Sequence, residues 1–486
     1  MSSKIKRRIF FWILVVFFTN TFPVIIFFAL GYRFSLERGI FIYAGSITVK
    51  STPQTTNILV DGKLAPKNKT NFLNNAYHVN GITPGEHTLE ISAPGYTTWS
   101  KKVSVHSGIS TEFWNVLLAK NDYPKNEYAS QGTENFFLSP KNDKAALVKN
   151  DNESLSVDIL DLKTNLSEEI FSSQKSSFPD NPEENIKWSP KEDKLIIPIK
   201  KDGQKHYFIV EIESKNAMNL KDIAGTNDLK MVRWDPDEKN TLYYISERDL
   251  YQLDTAAPEN KISVANSVSG YDISSSYLYY FHLPEGLIYR TNTSNPASSE
   301  QITTSALPDI SSLSYQITVY DEKRIALLND ENKKFYIYNV GDKDTYFREL
   351  SEGVNGSQFS NDGKKLLYFT DRDIFVYFTR DWDVQPTRTE NEVRNITRFS
   401  GELKNIQWAK DYEHIIFTAG GEIKVIEADY RDHSNLMSVL KLNGSNSRVS
   451  SSFPQNKLYF TDMKDGNSYL YSIDFPDKTG FLGIGG

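Results

Sequence analysis

The sequence predicts an all-β protein behind a single N-terminal membrane-spanning helix, with the β part divided into a small sandwich and a propeller. Three observations predict it: an apolar run at residues 9–30, alternating strands with tight turns at 45–119, and a repeat over 125–476. Aromatic residues make up 13% of the chain, which favours strands. No convincing amphipathic helix follows the apolar run, so the exported part is expected to be all-β.

The apolar run at 9–30 is predicted to be a transmembrane anchor. At ~1.5 Å per residue it forms a helix of roughly 33 Å, which crosses a hydrocarbon core of ~30 Å. The preceding tail at 1–8 carries four Lys and Arg, and the first acidic residue is Glu37. This asymmetry predicts a cytoplasmic tail and an extracytoplasmic bulk, hence a single-pass cell-membrane protein.

A cleaved signal peptide and a buried globular helix are the alternatives for this run. Signal peptides have apolar regions of only ~7–15 residues and a small-residue cleavage site, which Phe28 to Tyr32 does not provide. Buried helices are rarely apolar on every face. We therefore expect an uncleaved anchor, with a kink near Pro23, where Thr19 to Thr21 form a polar island.

Composition excludes several classes of function. The 486 residues allow two or three domains, and the net charge of −7 argues against a nucleic-acid partner. The chain has no cysteine, which excludes disulfides, thiol catalysis, Cys-ligated zinc, iron–sulfur clusters and lipoprotein processing. No cofactor or metal is expected.

Residues 45–119 carry the signals of a small β domain that follows a juxtamembrane linker at 31–44. Asp61-Gly62 marks a tight hairpin, and Pro84-Gly85 and Pro94-Gly95 mark turns in which Pro and Gly supply the required φ values. The stretch His87–Ser92 alternates as one strand, and 113–117 is expected to close the domain.

These residues resemble the PEGA domain family. The match rests on Ser51-Thr52-Pro53, Ile58 to Gly62, Pro84 to Ile91 and Ala93 to Tyr96, and covers about 46–118. The resemblance implies a small β-sandwich of microbial surface and envelope proteins that serves as a spacer or binding accessory. The segment between Pro66 and Tyr77 is longer than the compact pattern. His87 begins a strand after a turn, so packing or turn bonding is expected for it rather than metal binding or catalysis.

From about residue 121 one unit recurs: a strand ending in an aromatic residue, a Ser/Asp-Pro-like turn, an apolar strand, a second turn and a further strand. Trp188-Ser-Pro, Trp234-Asp-Pro, Phe359-Ser-Asn and Trp408-Ala-Lys begin the clearest copies. Counting weaker copies, the centres fall at about 138, 188, 234, 272, 317, 359, 408 and 452, a spacing typical of four-stranded propeller blades.

Such units cannot fold alone, but blades packed face to face bury a continuous core, and a closed ring leaves no exposed sheet edge. A sandwich array would need ~100 residues per domain. The Trp-Ser-Pro and Phe-Ser-Asn-Asp-Gly forms resemble TolB-type propeller repeats, which implies fold rather than function. Eight blades are favoured at 125–476, and seven are possible if 137–162 partly forms a closing strand. The tail at 477–486 is expected to be flexible.

No catalytic, cofactor or metal site residue is predicted. Hydrolase elbows, Walker loops, dinucleotide fingerprints and zincin helices are absent from the sequence, and the seven His lack ligand spacing. The pairs Asp371/Asp373 and Asp381/Asp383 suggest calcium, but blade turns explain them better. Packing on opposite sheet faces is expected for the adjacent tyrosines, Tyr243, Tyr244, Tyr279 and Tyr280. Asn395-Ile-Thr397 is a common triplet and no indication of glycosylation.

These features predict a non-enzymatic, membrane-anchored binding or scaffold protein of the cell envelope. The propeller would be a protein- or glycan-binding platform on the PEGA-like stalk. One alternative is a carbohydrate-active hydrolase or lyase with inward-facing carboxylates in the channel. The other is a purely structural component of the cell wall or surface layer.

Overall fold

The computed structural model describes residues 3–35, 39–66, 75–151, 154–179, 181, 184–310, 312–343 and 346–476. Its first element is helix α1, Ser3–Ala29, which continues through Pro23. Within these ranges it is the one helix long and apolar enough to span a membrane. The polar side chains of Thr19, Asn20 and Thr21 each donate to the carbonyl four residues earlier. The helix thus satisfies its own polar groups, as an apolar environment requires.

A two-stranded antiparallel sheet follows, formed by β1, Tyr32–Ser35, and β2, Ile40–Tyr43. It occupies the stretch at 31–44 where the sequence suggested only a linker. The flexible tail predicted at 477–486, and most of the long segment between Pro66 and Tyr77, lie outside the described residues.

The next domain is a sandwich of two sheets, with strand orders β6-β3-β9 and β5-β4-β7-β8. Its strands are β3 Gly45–Thr52, β4 Asn57–Val60, β5 Lys63–Leu64, β6 Tyr77–Ile82, β7 Gly85–Ser92, β8 Trp99–Val105 and β9 Ser110–Leu117. The two sheets enclose one core around Ile47, Leu89 and Trp99. As expected, His87 bonds turns: its Nδ1 lies 2.6 Å from Asp61 Oδ2 and its Nε2 2.6 Å from the Thr83 carbonyl.

Among the described residues eight further sheets follow, here called blades 1 to 8, and they give the chain its propeller fold. Blade 1 contains β11 Thr133–Leu138, β12 Lys144–Asp151, β13 Ser154–Asp161 and β14 Leu166–Gln174, and blade 2 contains β15 Ser176–Ser177, β16 Lys187–Trp188, β17 Lys194–Lys201, β18 Gln204–Glu211 and β19 Ala217–Asn219. Blade 3 contains β20 Lys230–Trp234, β21 Thr241–Ser246, β22 Asp249–Asp254 and β23 Ile262–Ala265, and blade 4 contains β24 Val268–Ser274, β25 Tyr277–His282, β26 Leu287–Asn292 and β27 Asn295–Gln301. A one-turn helix α2, Leu220–Ala224, and a 3-10 turn, Pro258–Asn260, interrupt the strands.

Blade 5 contains β28 Tyr315–Asp321, β29 Arg324–Asn329, β30 Phe335–Asn339 and β31 Phe347–Ser351. Blade 6 contains β32 Gly356–Phe359, β33 Lys365–Phe369, β34 Asp373–Phe378 and β35 Val393–Arg398, and blade 7 contains β36 Lys404–Trp408, β37 His414–Ala419, β38 Glu422–Glu427 and β39 Leu436–Lys441. Blade 8 contains β40 Val449–Ser452, β41 Lys457–Lys464, β42 Asn467–Asp474 and, from the start of the propeller, β10 Asn126–Glu127.

The ring closes because β10 pairs with β42, so that the two ends of the propeller segment share one sheet. Residues 137–162, which could have formed a closing strand, instead belong to blade 1. A hydrophobic cluster containing Tyr128, Leu147 and Tyr459 joins blade 8 to blade 1. Similar clusters join each earlier pair of neighbouring blades. This continuous core is what propeller blades gain by stacking.

In blades 2, 3, 6 and 7 the first strand ends in an aromatic residue that packs between blades, as predicted from the repeat. Three indoles also donate their Nε1–H to the first strand of the preceding blade: Trp188 to the Phe137 carbonyl at 3.2 Å, Trp234 to Lys187 at 3.1 Å and Trp408 to Gln358 at 3.0 Å. A buried indole N–H needs such a partner. The repeated tryptophans therefore fill the space between neighbouring blades and also fix the distance between them.

The adjacent tyrosines also follow the prediction. Tyr243 packs toward blade 4, whereas Tyr244 packs toward blade 2. Tyr279 and Tyr280 likewise contribute to different clusters. Successive residues of a strand point to opposite faces, so each pair serves two interfaces.

Replacing Trp408 by Ala tests this packing. Trp408 has no exposed surface, and the truncation removes both the ring and its hydrogen bond. We expect the free energy of unfolding to fall by about 3–5 kcal/mol, seen as a lower urea midpoint by circular dichroism. The control is Tyr346→Ala, which removes a side chain that is 51% exposed. Equal midpoints for the two variants would contradict the proposed role of the indole.

Candidate ligand-binding groove and the interface that positions it

The two faces of the propeller carry different features. Neighbouring strands within a blade are antiparallel. The first strand of each blade therefore starts on one face of the propeller, and the third strand ends on the opposite face. The loops at 379–392 and 428–435 follow the third strands of blades 6 and 7, and both contact the sandwich domain. We call this the docked face and the opposite one the free face.

A buried lysine of the sandwich enters the docked face. The Lys101 side chain is 0% exposed, and its Nζ lies 2.8 Å from Glu427 Oε1. Its Nζ also donates to three backbone carbonyls of the 428–435 loop, those of Asp429 and Arg431 at 2.8 Å and that of His433 at 2.5 Å. A buried ammonium requires this kind of compensation, so the loop conformation and the docking of Lys101 depend on each other.

Two side-chain amides extend this interface by pairing with strand backbone. Gln385 accepts from Glu112 N at 3.0 Å and donates to the Ser110 carbonyl at 2.9 Å, both in β9. Asn435 donates to the Ser100 carbonyl of β8 at 3.1 Å. These contacts satisfy polar groups at the edges of the sandwich sheets, which would otherwise remain unpaired.

Charged and aromatic groups complete the interface. Trp99 Nε1 donates to Glu427 Oε2 at 2.8 Å, and the Arg431 guanidinium lies 4.0 Å from the centre of the Phe113 ring. Burial raises the pKa of Asp429, but the Arg431 hydrogen bond and the charges of Arg431 and Lys101 lower it, leaving it below its ordinary value. Asp429 therefore stays ionised beside its two cations.

The free face carries a groove of about 790 Å³ at the seam between blades 8, 1 and 2. Its lining is polar and rich in amides, and it includes seven asparagines: Asn135, Asn150, Asn181, Asn185, Asn443, Asn446 and Asn467. Phe178 and Pro179 supply an apolar patch, and Arg448 supplies a cation. An open cavity with many neutral donors and acceptors suits a polar ligand.

Arg448 is held in place through its backbone. Its N–H donates to Thr461 Oγ1 at 2.9 Å, and its carbonyl accepts from Thr461 N at 3.0 Å. On either side, Asn405 donates to the Ser447 carbonyl at 2.9 Å and accepts from Val449 N at 3.2 Å. Asn405 reaches across from blade 7 because it occupies an irregularity in β36 with φ of 54°. The start of β40 is thus fixed by both neighbouring strands.

Two carboxylates in the groove already have partners. Asp462 accepts from the backbone N–H of Asn443 at 2.6 Å and from Lys125 Nζ at 2.9 Å, which orders the 443–447 loop. Glu134 accepts from the Asn150 amide. Neither carboxylate bonds the Arg448 guanidinium, which has no hydrogen bond or ion pair to any part of the chain that the structure describes. Burial lowers the pKa of Arg448.

The acidic pairs that suggested calcium do not converge. Asp371 accepts from Asn355, Asp373 from Asn395 and Asp381 from the Glu390 N–H. No group of three or more His, Asp or Glu suited to a metal occurs among the described residues.

Sequence reasoning missed both Lys101 and Arg448. For Lys101 a signal was present, because strand alternation places it on the same face as the buried Trp99 and Val103. For Arg448 no local pattern distinguishes it from an ordinary surface arginine.

Comparison with known proteins identifies the sandwich. The profile of the PEGA domain family matches residues 44–120. Residues 44–120 are a PEGA domain. No curated protein sequence matches the chain significantly.

Several solved propellers are similar in structure. The Cps50 (Swd1) β-propeller domain of Myceliophteria thermophila is 10% identical with a TM-score of 0.40, covering 72% of this chain and 99% of its own. The Dos1 propeller is 13% identical with a TM-score of 0.46, covering 72% of this chain and 94% of its own. An oligogalacturonate lyase from Vibrio parahaemolyticus is 9% identical with a TM-score of 0.37, covering 73% of this chain and 99% of its own. Scores this low carry no argument about function, and the propeller is recognised from its own sheets and interblade clusters.

Replacing Lys101 by Met tests the interface. The change keeps the length of the side chain but leaves Glu427 and three carbonyls without their donor. We expect docking of the PEGA domain to weaken by about 3–5 kcal/mol, measured as faster hydrogen exchange across 427–435. The matched control is Lys102→Met, because Lys102 is exposed on the opposite face of β8. Unchanged exchange in the Lys101 variant would contradict the role given to this lysine.

Proposed function

We propose that this chain is a membrane-anchored binding protein of the cell envelope, in which the PEGA domain holds the propeller and the free-face groove receives the ligand. The observation that carries the proposal is the polar groove on the face opposite the PEGA domain. The N-terminal apolar helix supports the anchor, and its preceding basic tail supports a cytoplasmic N-terminus with an extracytoplasmic bulk.

The chemistry of the groove favours a glycan over a protein partner. Protein-binding hot spots are built from aromatic anchors in desolvated pockets, whereas this lining is dominated by asparagine, serine and glycine. Amide side chains both donate and accept, which matches the hydroxyl groups of a sugar. Phe178 offers an apolar surface for the C–H face of a sugar ring.

The arrangement of the carboxylates on the first strands of the blades supports a binding role rather than catalysis. Glycosidases use a pair of carboxylates placed across one bond. Here the first strands contain Glu134, Asp272 and Asp321, which bond separately to Asn150, Arg233 and Arg324. No two of the three share a hydrogen-bond partner.

Blocking the groove tests the proposal. Ser445 is exposed on the groove wall, and Ser445→Trp places a bulky side chain there. We expect at least a tenfold loss of affinity for the envelope polysaccharides that bind the full chain in nanodiscs, measured on a glycan array. Ser294→Trp, at an exposed turn of blade 4, is the control and should bind normally. Binding that is equal in both variants, or absent from the unaltered chain, would refute a glycan-binding groove.

Membrane topology is tested by adding protease to intact cells. We expect removal of nearly all the mass after residue 30, because only the tail at 1–8 and the helix are protected. A cytoplasmic marker protein digested only after lysis serves as control. Protection of the bulk, or its recovery in the cytosolic fraction, would contradict the envelope location.

A further inference from the structure

Arg448 is the one guanidinium among the described residues that line the free-face groove, and none of those residues forms an ion pair with it. An arginine stays protonated even when it is partly buried, and a cation removed from water is costly without an acceptor. The described part of the chain supplies no acceptor to the Arg448 guanidinium. The two described carboxylates that line the groove are engaged elsewhere, Asp462 by Lys125 and backbone N–H groups and Glu134 by Asn150.

The backbone that carries this cation is fixed. Four hydrogen bonds with Thr461 and Asn405 hold the backbone of residues 447–449, so Arg448 projects from an ordered strand start. A fixed backbone reduces the conformational freedom that is lost on binding, which raises affinity. Arginine further offers a planar pair of N–H donors that matches a carboxylate or another oxyanion.

We propose that the ligand of the free-face groove is an acidic glycan whose anionic group binds the Arg448 guanidinium, while the asparagine amides bind its hydroxyl groups. This inference rests on the proposed function and adds the charge class of the ligand. A second cation lies at the rim, where Lys404 Nζ is 3.5 Å from Asn446 Oδ1 and 3.3 Å from Glu402 Oε2. Lys404 is exposed and paired with Glu402, so it attracts anions at a distance without selecting among bound groups.

The test compares an oligoglucuronate with its methyl ester, which removes the negative charge and leaves the sugar backbone. Both are titrated by calorimetry into the full chain in nanodiscs. We expect the unaltered protein to bind the acid about tenfold or more tightly than the ester, with the preference falling as salt increases. Arg448→Gln should bind both forms equally, and Arg448→Lys should retain part of the preference.

The matched control is Lys404→Gln, which should slow association with the acid but change the equilibrium ratio of acid to ester affinity much less than Arg448→Gln does. Equal urea midpoints for all variants exclude a folding effect. If the unaltered protein binds acid and ester equally well, the acidic-glycan inference is wrong and the glycan-binding groove stands. If Ser445→Trp binds both forms as well as the unaltered protein, or if the unaltered protein binds neither form, the inference also fails, and with it the use of this groove for such sugars.

Discussion

The arrangement of this protein depends on one buried ammonium group. Lys101 projects from the PEGA domain into the docked face of the propeller, where it is surrounded by a carboxylate and three carbonyl oxygens. Without it, the inward-facing carbonyls of the 428–435 loop and the carboxylates of Glu427 and Asp429 would have less compensation. Without the loop, a lysine on the inner face of β8 would be a buried charge in an apolar core. Each part therefore stabilises the other, and the two domains are coupled.

This coupling decides which surface of the propeller remains available. The PEGA domain occupies the face on which third strands end, and the N-terminal apolar helix precedes the PEGA domain in the chain. The face on which first strands begin is left open, and that face carries the groove at the seam of the ring. The seam is also where the chain adds β10 to blade 8, so the groove is built from sequence segments at both ends of the propeller. A ligand bound there contacts groups that only ring closure brings together.

Much of the fold could be predicted because it follows local patterns. The apolar run, the turns at Asp61-Gly62 and Pro84-Gly85, and the recurring tryptophans each report on a nearby structural requirement. The hydrogen bonds of Trp188, Trp234 and Trp408 explain why the repeat retains an aromatic at that place. Strand alternation also puts Lys101 on the buried face of Trp99 and Val103, but this signal was missed, and the sequence alone does not show what accepts its charge.

The groove could not be predicted in the same way, because its defining property is a cation that has no partner among the residues the structure describes. Arg448 lies in a weak copy of the repeat, and the described carboxylates of its groove, Glu134 and Asp462, bond to Asn150 and Lys125 instead. The pairing of Asp462 with Lys125 is a consequence of the closed ring. Long-range pairing of this kind has no signature in composition or spacing, whereas the core positions of each blade repeat along the chain.

The central claim is that the PEGA domain and the propeller form one rigid unit that leaves the free face open. The chain has no native cysteine, so two spin labels can be attached at Lys63→Cys in the PEGA domain and Ser294→Cys in blade 4 without background. Double electron–electron resonance on the labelled chain in nanodiscs then measures their separation. We predict a single narrow distance distribution, which broadens when Lys101→Met is added. A broad distribution in the protein with Lys101 intact would contradict the account.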